Sequence, residues 1–362
     1  MKKTAVLLIL LFFTCFATPV RASAEYESEA EISRQLDSIL QDYDINYTYS
    51  DIGGLSAGDI ISEVKEKLVS RVKAPSKVLG TMLIVVIFTA VMKNSGEGVF
   101  SKSSTSGLYG MVCVMTAVAV ISPQLFSVYK SSLDAVDKCG GFITAFVPVF
   151  TVITASMGGI TTAGVYNLMI LGVSELIVRL SECYLLPLLS VTAVFAVTGS
   201  VFPSISLNTV NEFIKKAVIW AVTVTMTLFT GFVTMKCTLG GKADTVATKT
   251  VRTIISGTVP IVGGAVSDAY STVLSGLNVI HGTAGFAGTV GIMVIMLPPL
   301  IEITVFRIVL WAGTASAEIF SADQLSKLMK GIDCGLAVAQ CVLVCYSVIF
   351  ILCTGILMYC IK

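Results

Sequence analysis

Charge is scarce in this chain, at 13% of its 362 residues, and histidine is nearly missing, His281 being the single one. With one imidazole, a polyhistidine metal site is excluded and a Ser-His-Asp relay could be built only around that position. No GxxxxGK[ST] stretch and no Walker-type lysine occur, so the phosphate cradle of an ATPase motor is missing from the sequence. The formal net charge of +1 supplies no basic field, and no basic run is interleaved with aromatics, which argues against a nucleic-acid partner. The ten cysteines contain no CxxC pair. Cys113, Cys183, Cys341, Cys345 and Cys353 lie inside apolar runs and read as small buried residues rather than as a disulfide framework.

What is abundant is apolar surface: 55% of residues are hydrophobic and the mean hydropathy is +0.88. The class implied is an all-α polytopic integral membrane protein. Lys2 and Lys3 precede the apolar run Ala5 to Ala17, and Ala22-Ser23-Ala24 offers a small-x-small site, which predicts a cleaved signal peptide over residues 1–24. Residues 25–77 form an extracytoplasmic polar segment. Its first part, Glu25 to Asp59, has few aliphatic residues and cannot build a core alone. Ser56 and Asp59 resemble a capping box, and Ile60, Ile61, Val64, Leu68 and Val72 follow at helical spacing, predicting an amphipathic helix over 56–73 on the membrane surface.

Residues 78–362 read as a polytopic membrane domain. Apolar segments fall at Val78–Met92, Leu108–Tyr129, Phe142–Met157, Ile160–Val178, Tyr184–Phe202, Ala217–Met235, the stretch from Ser256 to Gly282, Phe286–Trp311 and Gly335–Ile361. That predicts about eight or nine transmembrane or re-entrant helices, with Gly158-Gly159 making either a tight hairpin or a re-entrant pair. Orientation is contested: the signal peptide puts residues 25–77 outside, while Lys65, Lys67, Arg71, Lys73 and Lys77 favour inside.

Candidate functional residues lie where an apolar helix carries a polar face. Between Pro260 and Ile280, Val262, Val266, Ala269, Val273 and Leu277 share one side; Gly264, Asp268, Ser271, Ser275 and Asn278 share the other. That second side needs protein or water beside it, as a packing stripe or as a polar pathway or subunit contact, with Asp268 its charge. Pro298-Pro299 predicts a kink or break ahead of Glu302 and Arg307, which should pair or line water if they lie within the bilayer; Asp268 is a candidate partner for Arg307. Gly282, Gly285, Gly288 and Gly291 recur every three residues and permit close helix approach. Glu175, Arg179 and Glu182, at i, i+4 and i+7, form a candidate ion-pair cluster, either interfacial or a gating element. His281 reads as structural, and the cysteines of the last helix as packing.

The stretches GLSAGDIISEVKEKL, SGTVPIVGGAVSDAYSTVLSG and PPLIEITVFRI carry a resemblance. From Leu55 onward the chain resembles the stage III sporulation protein AE family, most specifically across Ser256 to Gly276. The resemblance implies a multi-pass protein of the mother-cell membrane surrounding the forespore. It would be a non-enzymatic, permease-like subunit of the channel or secretion-like complex made by the spoIIIA operon and required after engulfment. The partners implied are other membrane and ring-forming proteins of that operon, its ATPase and, indirectly, a forespore membrane protein. No cofactor or active-site residue is carried over. The alternative is a stand-alone secondary transporter with its site at broken helices near Pro260 and Pro298-Pro299. An intramembrane enzyme ranks third, lacking paired catalytic groups.

Overall fold

The computed structural model describes residues 29–43, 45, 77–78, 80–91, 105–202, 207–258 and 263–360, with the backbone alone at some helix ends, residues 263–273 included. Every regular element among the described residues is helical. In chain order these are α1 (Glu29–Asp42), α2 (Gly80–Val91), α3 (Thr105–Ser156), α4 (Ile160–Leu180), a π turn (Ser181–Leu185), α5 (Leu186–Val201), α6 (Leu207–Thr258), α7 (Gly263–Ile319) and α8 (Asp323–Cys360). The leader and the amphipathic helix predicted over 56–73 lie outside the described residues.

Five stretches are long and apolar enough to cross a membrane by length and composition: Gly110–Ser156, Ile160–Val201, Leu207–Val251, Leu274–Ile319 and Asp323–Cys360. At about 1.5 Å per residue each runs roughly 55–70 Å, near twice the thickness of a hydrocarbon core. Segments that hydropathy divides are therefore joined. Leu108–Tyr129 and Phe142–Met157 both lie on α3, because the polar link Lys130 to Lys138 holds no helix breaker. Ile160–Val178 and Tyr184–Phe202 run together through the π turn. Pro123 and Pro148 sit inside α3, and Pro298 and Pro299 inside α7, without ending either helix, so of the kink or break expected ahead of Glu302 the break is not formed. Ser256 to Thr258, expected to open the Pro260 helix, instead close α6, and α7 begins at Gly263.

The chain reverses where backbone geometry demands it. Gly158 has φ +91, a value costly for any residue with a Cβ, and it closes the tight α3–α4 hairpin through Gly158 N–H to Ala155 O at 2.9 Å. The α7–α8 corner turns at Ser321, with φ 55 and Ala322 N–H on Ala317 O at 2.7 Å.

α8 is central, packed on α3, α4, α5, α6 and α7. Lipid offers helices no hydrophobic drive to associate, so close packing holds them. Gly285 leaves room for Met358, Gly288 for Phe146 and Gly291 for Phe142, while Gly282 faces open space. Phe142, Phe146 and Phe150 stack down α3 at 5.6 and 5.5 Å between ring centres, all fully buried. α1 joins this core from outside it: Leu36, Leu40 and Ile45 are buried, and the Tyr43 ring meets Phe142 edge-on at 5.6 Å. A segment too polar to fold alone thus borrows the bundle's core.

Candidate functional site

The start of α6, the second half of α7 and the start of α8 diverge around an open groove of about 770 Å³. Arg307 spans it. Its Nε donates to Asp333 Oδ1 at 2.6 Å and its Nη2 to Asp333 Oδ2 at 3.2 Å, a two-pronged fork that fixes both side chains. Nη1 donates to Gln340 Oε1 at 2.6 Å, and Gln340 Nε2 in turn donates to Thr304 Oγ1 at 3.0 Å. Lys215 Nζ stands 3.9 Å from Asp333 Oδ2, bringing α6 into the same network. Nearer the α7–α8 corner, Lys330 pairs with Glu318 at 2.6 Å, and Ser326 donates to the same carboxylate at 3.1 Å. The Arg307, Asp333 and Lys215 side chains are about one-third exposed, so the network borders the groove rather than being sealed in the core.

Glu302, buried at 9% exposure, lies on α7 below Thr304. Arg307 finds its partner on the next helix, and Asp268 is not available to it: both stand on α7, roughly 60 Å apart at the α-helical rise. Gly264, Asp268 and Ser271 fall in the part of α7 described by backbone alone, and Ser275 is exposed. Glu175 and Arg179 form an exposed ion pair at 2.6 Å, while Glu182 lies in the π turn and is exposed. His281 is buried, its Nε2 3.0 Å from Thr154 Oγ1 and its ring stacked on Phe150 at 4.8 Å. The Thr154 hydroxyl donates to Phe150 O at 2.8 Å, so its oxygen is left to accept from the His281 ring and the pair serves as an internal helix contact. Among the described residues no group of three or more His, Cys, Asp or Glu could hold a metal ion.

Two functional groups escape a reading of local spacing. Asp333, with Gln340, completes the Arg307 network from another helix. Asp244 sits in what sequence reads as a basic loop but is helix α6, and its carboxylate accepts from Thr161 N–H (3.1 Å), Thr162 N–H (2.9 Å) and the Thr162 hydroxyl (2.7 Å). It thereby caps α4, whose own N-cap residue, Gly159, has no side chain to do so. Its signal is faint: one acid among Lys236, Lys242, Lys249 and Arg252.

Residues 44–360 match the sequence model described as Stage III sporulation protein AE (spore_III_AE). The chain belongs to the stage III sporulation protein AE family. That stretch includes the whole Arg307 groove, Asp244 and the five long helices. A relative from Bacillus subtilis (strain 168), named Stage III sporulation protein AE, is 22% identical over 236 residues, which is 65% of this chain and 59% of that protein. The chain thus matches about three-fifths of that relative's length. No solved structure matches. This member of the family carries five helices with the length and composition of membrane spans.

Proposed function

We propose that this protein is a non-enzymatic integral-membrane subunit of the mother-cell-to-forespore channel or secretion-like complex that endospore development requires after engulfment. The family match over residues 44–360 is the observation that carries the reading. The structure supports it through what the helices present. Arg307, Asp333, Lys215 and Gln340 join into one ion-paired network beside an open groove, as suits a subunit that shapes a passage or docks partners. Other membrane and ring-forming proteins of the spoIIIA operon, its ATPase and, indirectly, a forespore membrane protein are the partners proposed. A signal peptide over residues 1–24 would deliver the polar segment to the extracytoplasmic side of the mother-cell membrane around the forespore.

The sequence-based figure of eight or nine crossings divides α3 and the α4–α5 rod in two. Cysteine accessibility on either side of the Lys130 to Lys138 link decides whether each rod counts once or twice. A stand-alone transporter with its site at broken helices near Pro260 and Pro298-Pro299 loses the second of these, because α7 runs unbroken through Pro298 and Pro299, while Pro260 lies outside the described residues. Deletion in a sporulating host tests the main reading: vegetative growth is unchanged and spores stall after engulfment. A growth or nutrient-uptake defect with normal spores would refute it.

A further inference from the structure

Five helices nearly twice as long as a bilayer is thick leave open which part of them lipid covers, and contacts along the bundle supply a common scale. α6 and α8 run parallel: Asn208 Nδ2 donates to Lys327 O at 3.0 Å near one end, and Gly241 stands against Cys360 near the other. The same register places Trp220 level with Ala339. On the α4–α5 rod, Ser174 bonds Tyr346 and Thr192 faces Gly335, so Arg179, Glu182 and Tyr184 fall near Gln340. On α3, Tyr129 faces Gly335 and Gly140 faces Tyr346, which brings Asp134 to the same height. On α7, Thr304 bonds Gln340 directly, and Glu302 lies beside it.

One plane therefore collects charges and interfacial aromatics from every side of the bundle. Asp134, Arg179 and Glu182 are exposed there, as are Trp220 (69%) and Tyr184 (67%). Tyr and Trp at such a level are the usual marks of a membrane–water interface. Further along α8 stands Tyr359, 81% exposed and about 30 Å from Gln340 at the helical rise, one hydrocarbon thickness. Lys242 and Lys249 are exposed at and just beyond that second level.

Between the two planes the sequence holds no Asp, Glu, Lys or Arg over residues 139–157, 160–174, 217–235, 269–301 or 334–360. Lys236 is set deeper inside, its amine 5.5 Å over the Phe232 ring, while Asp137, Lys138 and Glu175 lie within about a turn of the first plane. The other half differs on three of its helices: Glu212, Lys215 and Lys216 on α6, Arg307 on α7 and Lys330 and Asp333 on α8 stand there around the groove, while residues 103–129, into α3, and 183–211, through α5, remain free of charge. That half also exposes apolar residues such as Val112 and Val194, so hydropathy taken helix by helix does not find the boundary that charge does.

We propose that the bilayer covers one half of the bundle, from the plane of Asp134, Arg179, Trp220 and Glu302 to the plane of Tyr359 and Lys242. The basic end faces the cytoplasm and the Arg307 groove opens to the opposite, aqueous side. The orientation follows from the positive-inside bias. Lys236, Lys242, Lys249 and Arg252 stand toward one end with two acids, Asp268 and Asp244, the latter already engaged by α4, so that end is net basic, whereas the other end mixes both signs. α1 meets α3 at Gly141 and Phe142, about two turns past Asp134 and so on the lipid side of that plane. The placement does not depend on the sporulation reading. It makes the groove a surface reached from outside the membrane.

The chain's two tryptophans, both exposed, read the two halves separately. In nanodiscs holding the full chain, brominated phosphatidylcholine should quench Trp220 in the Trp311→Phe variant. In the Trp220→Phe variant, Trp311 should escape bromine and yield to aqueous iodide. Bromine quenching of Trp311, or none of Trp220, overturns the placement. For orientation, an impermeant maleimide should label Cys183, which is exposed near the plane of Arg179 and Trp220, in intact protoplasts, with the signal lost in Cys183→Ser. A cysteine placed by Lys249→Cys should label only after permeabilisation. The reverse pattern overturns the orientation.

Discussion

Asp244 offers the sharpest test of how the bundle is held, because one carboxylate on α6 satisfies the start of α4. Its side chain is 8% exposed and accepts three hydrogen bonds at 2.7–3.1 Å. Asp244→Ala leaves the Thr161 and Thr162 N–H groups without their acceptor in a place water reaches poorly. Each orphaned buried donor costs about 1–3 kcal/mol, while the Thr162 hydroxyl can turn toward another acceptor and adds little. A loss of about 3 kcal/mol follows, more than the typical ~1 kcal/mol for a solvent-exposed N-cap, where water replaces the side chain. Asp244→Asn keeps one oxygen and so should lose about half as much.

The measurement is an SDS titration of the detergent-solubilised protein, with the fraction folded read by Trp fluorescence. Amide exchange over Gly158 to Ala163 should accelerate in step, since the damage is local before it is global. Asp323→Ala, at the exposed α7–α8 corner, is the control. If Asp244→Ala unfolds within about 0.5 kcal/mol of that control, the range ordinary surface changes cover, the α4 cap carries no stability and the reasoning fails.

Arg307→Lys keeps the charge but loses the fork on Asp333 and the bond to Gln340, so stability should fall by about 1–3 kcal/mol in the same titration, with Asp333→Asn falling alike and the double variant less than additively. Gly291→Leu drives a side chain into the Phe142 ring and should abolish folded protein on size exclusion, while Gly282→Leu, facing open space, should leave the elution profile unchanged. At Gly141 a Cβ would come within 2.6 Å of the Tyr43 hydroxyl, so Gly141→Leu should free α1 to limited proteolysis and leave the five long helices intact by circular dichroism. Neutralising the exposed Glu175–Arg179 pair should change stability by less than about 1 kcal/mol, the ordinary value of a surface ion pair.

The helical class and the sites of close approach were legible because they are written locally. Glycines every three residues on α7 announce tight packing, and Gly285, Gly288 and Gly291 each admit a neighbour's side chain. Which neighbour arrives is a tertiary fact, and so is the partner of Arg307. Spacing along a helix pairs residues three or four apart, but Asp333 lies on the following helix. Asp244 escaped for the same reason: its acceptor role belongs to the N-terminus of α4, reached from a helix that does not adjoin it in sequence.

The count of crossings differs from the count of long helices for another reason, and that reason locates the water level. Hydropathy reports where lipid is tolerated, whereas a reversal of the chain needs a residue that leaves helical φ and ψ. Lys130 to Lys138 is polar yet holds only residues that helices accept, so α3 continues through it; Gly158 lies in an apolar setting yet turns the chain at φ +91. A polar interval inside an unbroken helix is therefore a height rather than a loop. The polar intervals of α3 and of the α4–α5 rod come to one level because Gly140 abuts Val178 and Ser174 bonds Tyr346. Charges that each sequence segment offers as separate interruptions thus become, once packed, a single ring around the bundle where hydrocarbon gives way to water.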